Sequence, residues 1–304
     1  MARKPRLEFP GAIYHVISRG NYRKPLFEDG AGPAFEKALF QACGKCGWQL
    51  HAYVIMNNHY HLALETPQPN LVDGMRWLQG TFGIRFNAFH DERGHVFQSR
   101  HKSLVIEAGR PLLGLVNYIH LNPVRGDIVD IGNLREFALS SFPKFFAKKL
   151  HSGLIRSRFL AALEFPNSPS GMKRYAEHLE FSEENDPSTR DEITRRYCRG
   201  WAVASEEYRE ELKTAFAENE TSVSPGGTEW ADLREAGWEK RLSSLLRSAG
   251  KTAKDTEKDA KSAVWKVKIA RELRATSTAT NGWIAENLAM GHPTRVCNLI
   301  HRKM

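Results

Sequence analysis

The 304-residue sequence predicts an α+β fold. Its first part reads as a ferredoxin-like antiparallel sheet with helices packed on one face, and an all-α region with a helix-turn-helix follows. Three observations carry this. Up to about residue 140, segments of period two alternate with segments of helical period in the order β-α-β-β-α-β-α. Two of the strand-like segments are separated only by Asn57-Asn58, which suits the tight turn of a hairpin. After Phe146 strand-like patterning stops and only helical periodicity remains.

Each element has a local reason. Ala12–Arg19 is rich in β-branched and aromatic residues and stops at Gly20-Asn21, a turn signal. Pro33–Cys46 has helical spacing, with Phe35, Leu39, Phe40 and Cys43 as its apolar stripe. Trp48–Met56 and Tyr60–Glu65 form the hairpin strands. Leu71–His90 is a long amphipathic helix, and His95–Ile106 is extended again. Pro111–Leu121 is a helix that opens on a proline, where the missing N–H costs nothing. Ala176–Glu220 is helical and acidic, Thr221–Thr228 a loop, and Lys251–Lys261 a solvated helix or a linker. Val264–Leu273, Gly282–Met290 and Pro293–His301 close the chain as helices, with a break at Gly291-His292. That ending fits a helix-turn-helix and equally a plain three-helix bundle.

Charge divides the chain into three. Residues 1–150 are net +7, residues 177–239 net −10 and residues 240–304 net +9, which points to two polyanion-binding blocks around a solvated acidic one. The expected regions are a catalytic domain at 1–146, an acidic helical region at 147–250 and a basic DNA-binding region at 251–304. The sequence has no run of apolar residues long enough for a membrane span, and its basic start is not followed by a signal core, so a cytoplasmic location is expected. Cys43 and Cys46 form a Cys-x-x-Cys without a second pair; reduced thiols on a helix, zinc and redox roles all remain open. Cys198 and Cys297 stand alone in the sequence.

Two short motifs carry chemistry. Asn58-His59-Tyr60-His61 lies in a strand, where alternate side chains share a face, so His59 and His61 can hold one metal ion. Asn117 to Arg125 reads as the end of a helix, where Tyr118 and Asn122, four apart, share a face. Two histidines, an amide and a tyrosine brought together would make a metal-assisted tyrosine nucleophile, which breaks and rejoins phosphodiester bonds.

Four blocks in order resemble the single-tyrosine HUH transposases, and within them the REP-associated tyrosine transposases. They are Tyr14 to Asn21, Met56 to Leu62, Phe97-Gln98-Ser99-Arg100 and Tyr118 to Arg125. The resemblance spans roughly residues 8–142. Tyr60 stands where an aliphatic residue is common, and as the middle residue of the pair it faces away from the metal side. The resemblance implies a Mg²⁺ or Mn²⁺ ion on His59 and His61, Tyr118 as the nucleophile forming a 5′-phosphotyrosine, and single-stranded or hairpin DNA as substrate. It also implies Asn122 as a third ligand. Because Asn122 precedes Pro123, a C-terminal helix cap is the competing role. His120 is structural or contacts DNA, and Glu65 is a candidate to support the metal ligands from behind.

Arg19, Asn21, Arg23, Arg100, Lys102 and Arg125 are the expected phosphate contacts of the catalytic part. In the last helix Arg295, Asn298 and Arg302 have spacing and chemistry suited to base edges, with Lys266 and Lys268 nearby for phosphates. A monomer is expected rather than a homodimer, since the long C-terminal extension can replace a partner. Two other readings compete: a second type of HUH nuclease, such as a replication initiator or relaxase, and a DNA-binding regulator without catalysis. The sequence has no Gly-rich lysine loop for a nucleotide, which speaks against a helicase-linked initiator.

Overall fold

The structure is a computed structural model that describes residues 7–21, 25–185, 188–218, 231–277 and 279–301. Arg23, Arg302 and the loop at Thr221–Thr228 lie outside the described residues. Two compact units are present, Glu8–Ser205 and the residues from Glu206 onward together with Leu7.

The first unit contains β1 (Ala12–Arg19), α1 (Ala31–Cys46), β2 (Gln49–Ile55), β3 (His59–Thr66), α2 (Leu71–His90), β4 (Lys102–Ile106) and α3 (Arg110–Arg125). After these come α4 (Ser141–Lys144), α5 (Ser157–Ala161), α6 (Pro169–Asn185), α7 (Arg190–Cys198) and a two-residue β5 (Ala202–Val203). The sheet order is β2-β3-β1-β4-β5. Its first four strands are antiparallel, in the ferredoxin-like arrangement the sequence predicts. The Asn57-Asn58 turn closes with the Met56 amide donating to the His59 carbonyl at 2.8 Å.

The helices occupy both faces of the sheet, where the sequence reading placed them on one. Neighbouring residues of β3 show this directly. Tyr60 points to α1 and α2, stacking on Phe35 with ring centroids 4.6 Å apart and accepting a hydrogen bond from Gln79. His61 points the opposite way, toward Tyr118 of α3. The reason lies in β3 itself, which is buried on both sides apart from its first residue, so each face needs a cover. A second departure is β5. It interrupts the expected helical stretch and pairs parallel to β4, with Val105 opposite Ala202.

The regions expected from the sequence divide the chain at 146 and 250, whereas packing divides it at 205. Residues beyond 146 stay with the sheet because His120 of α3 is wrapped by Phe145, Phe159 and Tyr175, from α4's end, α5 and α6. Charge lies on surfaces, so its sign says little about which helices share a core.

The second unit contains α8 (Glu206–Glu218), α9 (Ala231–Ser248), α10 (Ala253–Lys258), α11 (Val264–Thr276), α12 (Asn281–Asn287) and α13 (Pro293–His301). Trp238, Leu242 and Leu246 of α9 share one apolar core with Leu273, Trp283, Ile284, Leu288 and Val296. Gly291, at φ 88°, makes the break before α13, a backbone region that favours glycine. Lys266, expected at phosphates, is instead fully buried: its ammonium donates to the carbonyls of Thr256 and Asp259 at 2.6 and 2.8 Å. Among the described residues no helix is long and apolar enough to cross a membrane.

Candidate active site

The register of β1 against β3 builds the site. Ile17 lies opposite His61 and Arg19 opposite His59, so both histidines share a face with His15, Ile17 and Arg19. Lys102 of β4 joins the same face through its pairing with Ile17. Across that face lies α3. Tyr118 presents its ring edge-on to His61 at 5.4 Å and to His15 at 5.8 Å between centroids. The rings of His59 and His61 stand 5.1 Å apart.

The hydrogen bonds set the tautomers of both histidines. His15 Nδ1 lies 2.7 Å from the Tyr197 carbonyl, which can only accept, so Nδ1 carries the proton. Burial holds the His15 pKa at about 4, so the ring is neutral near pH 7 and Nε2 is bare. His61 Nδ1, 2.9 Å away, must therefore donate to it. His59 Nδ1 donates in the same manner to Asn58 Oδ1 at 2.8 Å. Burial and then the Arg19 charge lower His59 to about 4, and burial keeps His61 neutral as well. Both rings consequently present an unprotonated Nε2. That is the form a metal ligand needs, with the other nitrogen fixed by a neighbour.

Asn122 lies one turn beyond Tyr118. Its Nδ2 donates to the Tyr118 carbonyl at 2.8 Å, so Oδ1 is the end left for a cation. The helix runs through Pro123 to Arg125, and its C-cap is Gly126. Asn122 is thus a helical residue and does not cap the helix end.

Tyr118 is 7% exposed. Tyr197 stacks on its ring at 5.1 Å, and its hydroxyl lies 3.2 Å from Cys198 Sγ. Burial, followed by Cys198, pushes the phenol well above its usual pKa, while Asn122 and Arg125 act in the opposite direction. The resting tyrosine is therefore protonated and covered. Tyr197 can approach this closely because residue 114 is glycine: a Cβ there would clash with the Tyr197 hydroxyl.

Residues 9–122 match the family described as "Transposase IS200 like". This segment is similar to the IS200-like transposases. A solved structure of a "REP associates tyrosine transposase bound to a REP hairpin" is 18% identical, with 48% of this chain and 85% of that chain covered and a TM-score of 0.41. Another, of a putative transposase from Deinococcus radiodurans r1, is 20% identical, with 42% and 92% covered and a TM-score of 0.29. No curated protein matches the chain.

The remaining expected residues are distributed unevenly. Arg19 is exposed on the histidine face, and Lys102 is partly exposed there. Asn21 binds the His95 carbonyl through Nδ2 at 3.1 Å, and Arg100 is exposed. Arg125 is held by Glu183 of α6, with Nε 3.1 Å from Oε1, and its guanidinium is committed inside the protein. His120 is buried between Tyr175 and Ser141 at 3.0 and 2.9 Å, which makes it structural. Glu65 binds His51 and Arg158 rather than the metal-type histidines. In the second unit Arg295 and Asn298 are exposed on α13.

Three residues at this site escape a sequence reading: His15, Tyr197 and Cys198. His15 carried a signal, since alternation in β1 puts it on the face of Ile17 and Arg19. The strand register that brings it to His61 had no local signature. Cys198 arrives from eighty residues beyond Tyr118, with nothing in the sequence to announce it.

Proposed function

We propose that the IS200-like domain cuts and rejoins single-stranded, hairpin-forming DNA through a covalent bond to Tyr118, assisted by a divalent cation. The observation that carries this reading is one juxtaposition: a tyrosine of α3 lies against His61, His59 stands beside His61 on the same face of β3, and both imidazoles are neutral with Nε2 unprotonated. That donor set, with Asn122 Oδ1, suits a divalent ion. Its nitrogen content favours Mn²⁺ over the oxygen-preferring Mg²⁺.

His59, His61 and Asn122 are the groups that would hold the ion. When bound, it supplies Lewis-acid charge at the scissile phosphate and favours the phenolate of Tyr118. The Tyr118 oxygen forms a bond to phosphorus, the bond from phosphorus to the 3′ oxygen breaks, and the 3′ end leaves as a hydroxyl after gaining a proton. The 5′-phosphotyrosine conserves the phosphodiester energy, so rejoining to another 3′ hydroxyl needs no nucleotide cofactor. Arg19 and Lys102, on the same face, are placed to steer the DNA backbone. The covered resting position of Tyr118 means that Tyr197 and Cys198 at the end of α7 must give way before a phosphate arrives.

The test is covalent trapping on single-stranded palindromic oligonucleotides with Mn²⁺ or with chelator. The wild type should form a protein–DNA adduct only with metal. Tyr118→Phe should keep the fold and DNA binding while losing the adduct. An adduct mapped by mass spectrometry to another tyrosine would refute the assignment. Binding without any adduct would favour the competing reading, a DNA-binding regulator.

A further inference from the structure

We propose that His15, His61 and Cys198 form a second metal site, specific for a zinc-type cation, whose occupation excludes the ion held by His59 and His61. Two imidazoles and one thiol have ligand atoms that all lie within 4.8 Å of one another. His15 Nε2 and His61 Nδ1 are 2.9 Å apart and share one proton. Ligand nitrogens on a tetrahedral zinc stand about 3.3 Å apart, so replacing the proton by the metal needs only a small opening of the pair. Behind the site, the Tyr197 carbonyl fixes His15 with Nε2 inward, the kind of outer support that metal-bound histidines receive. Half-buried Cys198 gives an entry path, and a thiol makes the site soft, which selects zinc over Mg²⁺ or Mn²⁺.

The two sites compete because they share one ring. The Tyr118 reading uses His61 through Nε2, with Nδ1 protonated. The zinc site uses Nδ1, and the displaced ring proton then belongs on Nε2, which can no longer bind a cation. Zinc would also tie the end of α7, through Cys198, to β1 and β3, with Tyr118 held beneath. The site itself follows from geometry alone, while the competition rests on the function proposed above.

Cobalt is the probe, because a thiolate on Co²⁺ gives a charge-transfer absorption. The metal-free full chain should develop that absorption at one equivalent of Co²⁺ and lose it on adding zinc. Cys198→Ser should abolish it, and His15→Gln should weaken Co²⁺ binding at least tenfold. The double variant Cys43→Ser/Cys46→Ser should keep it. Absorption that survives Cys198→Ser, that never develops, or that is lost only with Cys43 and Cys46 overturns the site. Electron paramagnetic resonance then reads the competition: zinc should release bound Mn²⁺ from the wild type at a lower concentration than from Cys198→Ser, where only direct exchange at His59 and His61 remains. Zinc and Mn²⁺ bound together would overturn mutual exclusion. A cobalt signal with no Mn²⁺ binding to the zinc-free chain would uphold the zinc site and defeat the catalytic-metal reading instead.

Discussion

His15 Nε2 and His61 Nδ1 meet at 2.9 Å across adjacent strands, and the Tyr197 carbonyl behind His15 fixes the direction of that hydrogen bond. His15 is therefore a positioning residue for His61. Removing it frees the His61 ring to rotate and to change tautomer. His15→Ala should weaken Mn²⁺ binding by about ten- to a hundred-fold, the usual cost of losing an outer partner of a metal ligand. His15→Gln should recover much of this, because its amide can accept from His61 while donating to Tyr197. A resonance titration of Mn²⁺ gives both affinities. An unchanged value for the alanine variant would remove His15 from the metal argument.

Asn122 makes a separate test of the ligand set. Its Nδ2 is bound to the Tyr118 carbonyl, and its side chain also favours ionisation of the Tyr118 phenol. Asn122→Ala should lower Mn²⁺ affinity by about ten- to a hundred-fold, and Asn122→Asp should restore binding by offering an oxygen with charge. If the alanine variant titrates like the wild type, Asn122 serves only the local helix.

Much of the first unit was legible because its signals are local. Leu71–His90 and Ala12–Arg19 are bounded by turn and cap residues, and the helix and strand have those same limits. His59 and His61 shared a face by alternation alone. What stayed hidden was non-local. The register of β1 on β3 brings His15 to the site, and the return of α7 brings Cys198. Pro123 misled in the opposite direction: local rules stop a helix before it, yet the packing of Leu115, Ile119 and Pro123 carries α3 on to Arg125.

Acid should weaken the metal-free protein in a defined window. Burial depresses His15 to about 4 and His120 to about 3, against an ordinary value of 6.5. Below pH 6.5 the unfolded chain takes up protons that the folded chain refuses, so stability rises with pH through this range and is complete above it. The melting temperature should be nearly level from about pH 7 to 8 and fall steadily from about pH 6.5 to 5, before most carboxylates titrate. His120→Gln should lessen the slope. A level profile from 6.5 to 5 in calorimetry would contradict the assigned neutral, buried state.

The second unit supplies the last prediction. Val296 of α13 is buried in the core, while Arg295 and Asn298 are exposed beside it. Arginine and asparagine are the side chains that best pair with guanine and adenine edges. Lys266 is buried and cannot reach a phosphate, but Lys268, two residues on, is exposed. Truncation at residue 240 would cut α9 between Trp238 and Leu242 and open the core, so substitutions on the exposed face are the cleaner test. If α13 reads DNA, Arg295→Ala should cost about 1–3 kcal/mol of binding to the preferred sequence and little to others. Lys268→Ala should weaken all sequences alike and reduce the salt slope by about one. Tyr118 adduct formation on a short hairpin should be unchanged in both variants, because His59, His61 and Tyr118 all lie in the other unit. Affinities and salt slopes equal to wild type would mean that the helices only pack together, and the +9 charge of residues 240–304 would then be a solvated surface.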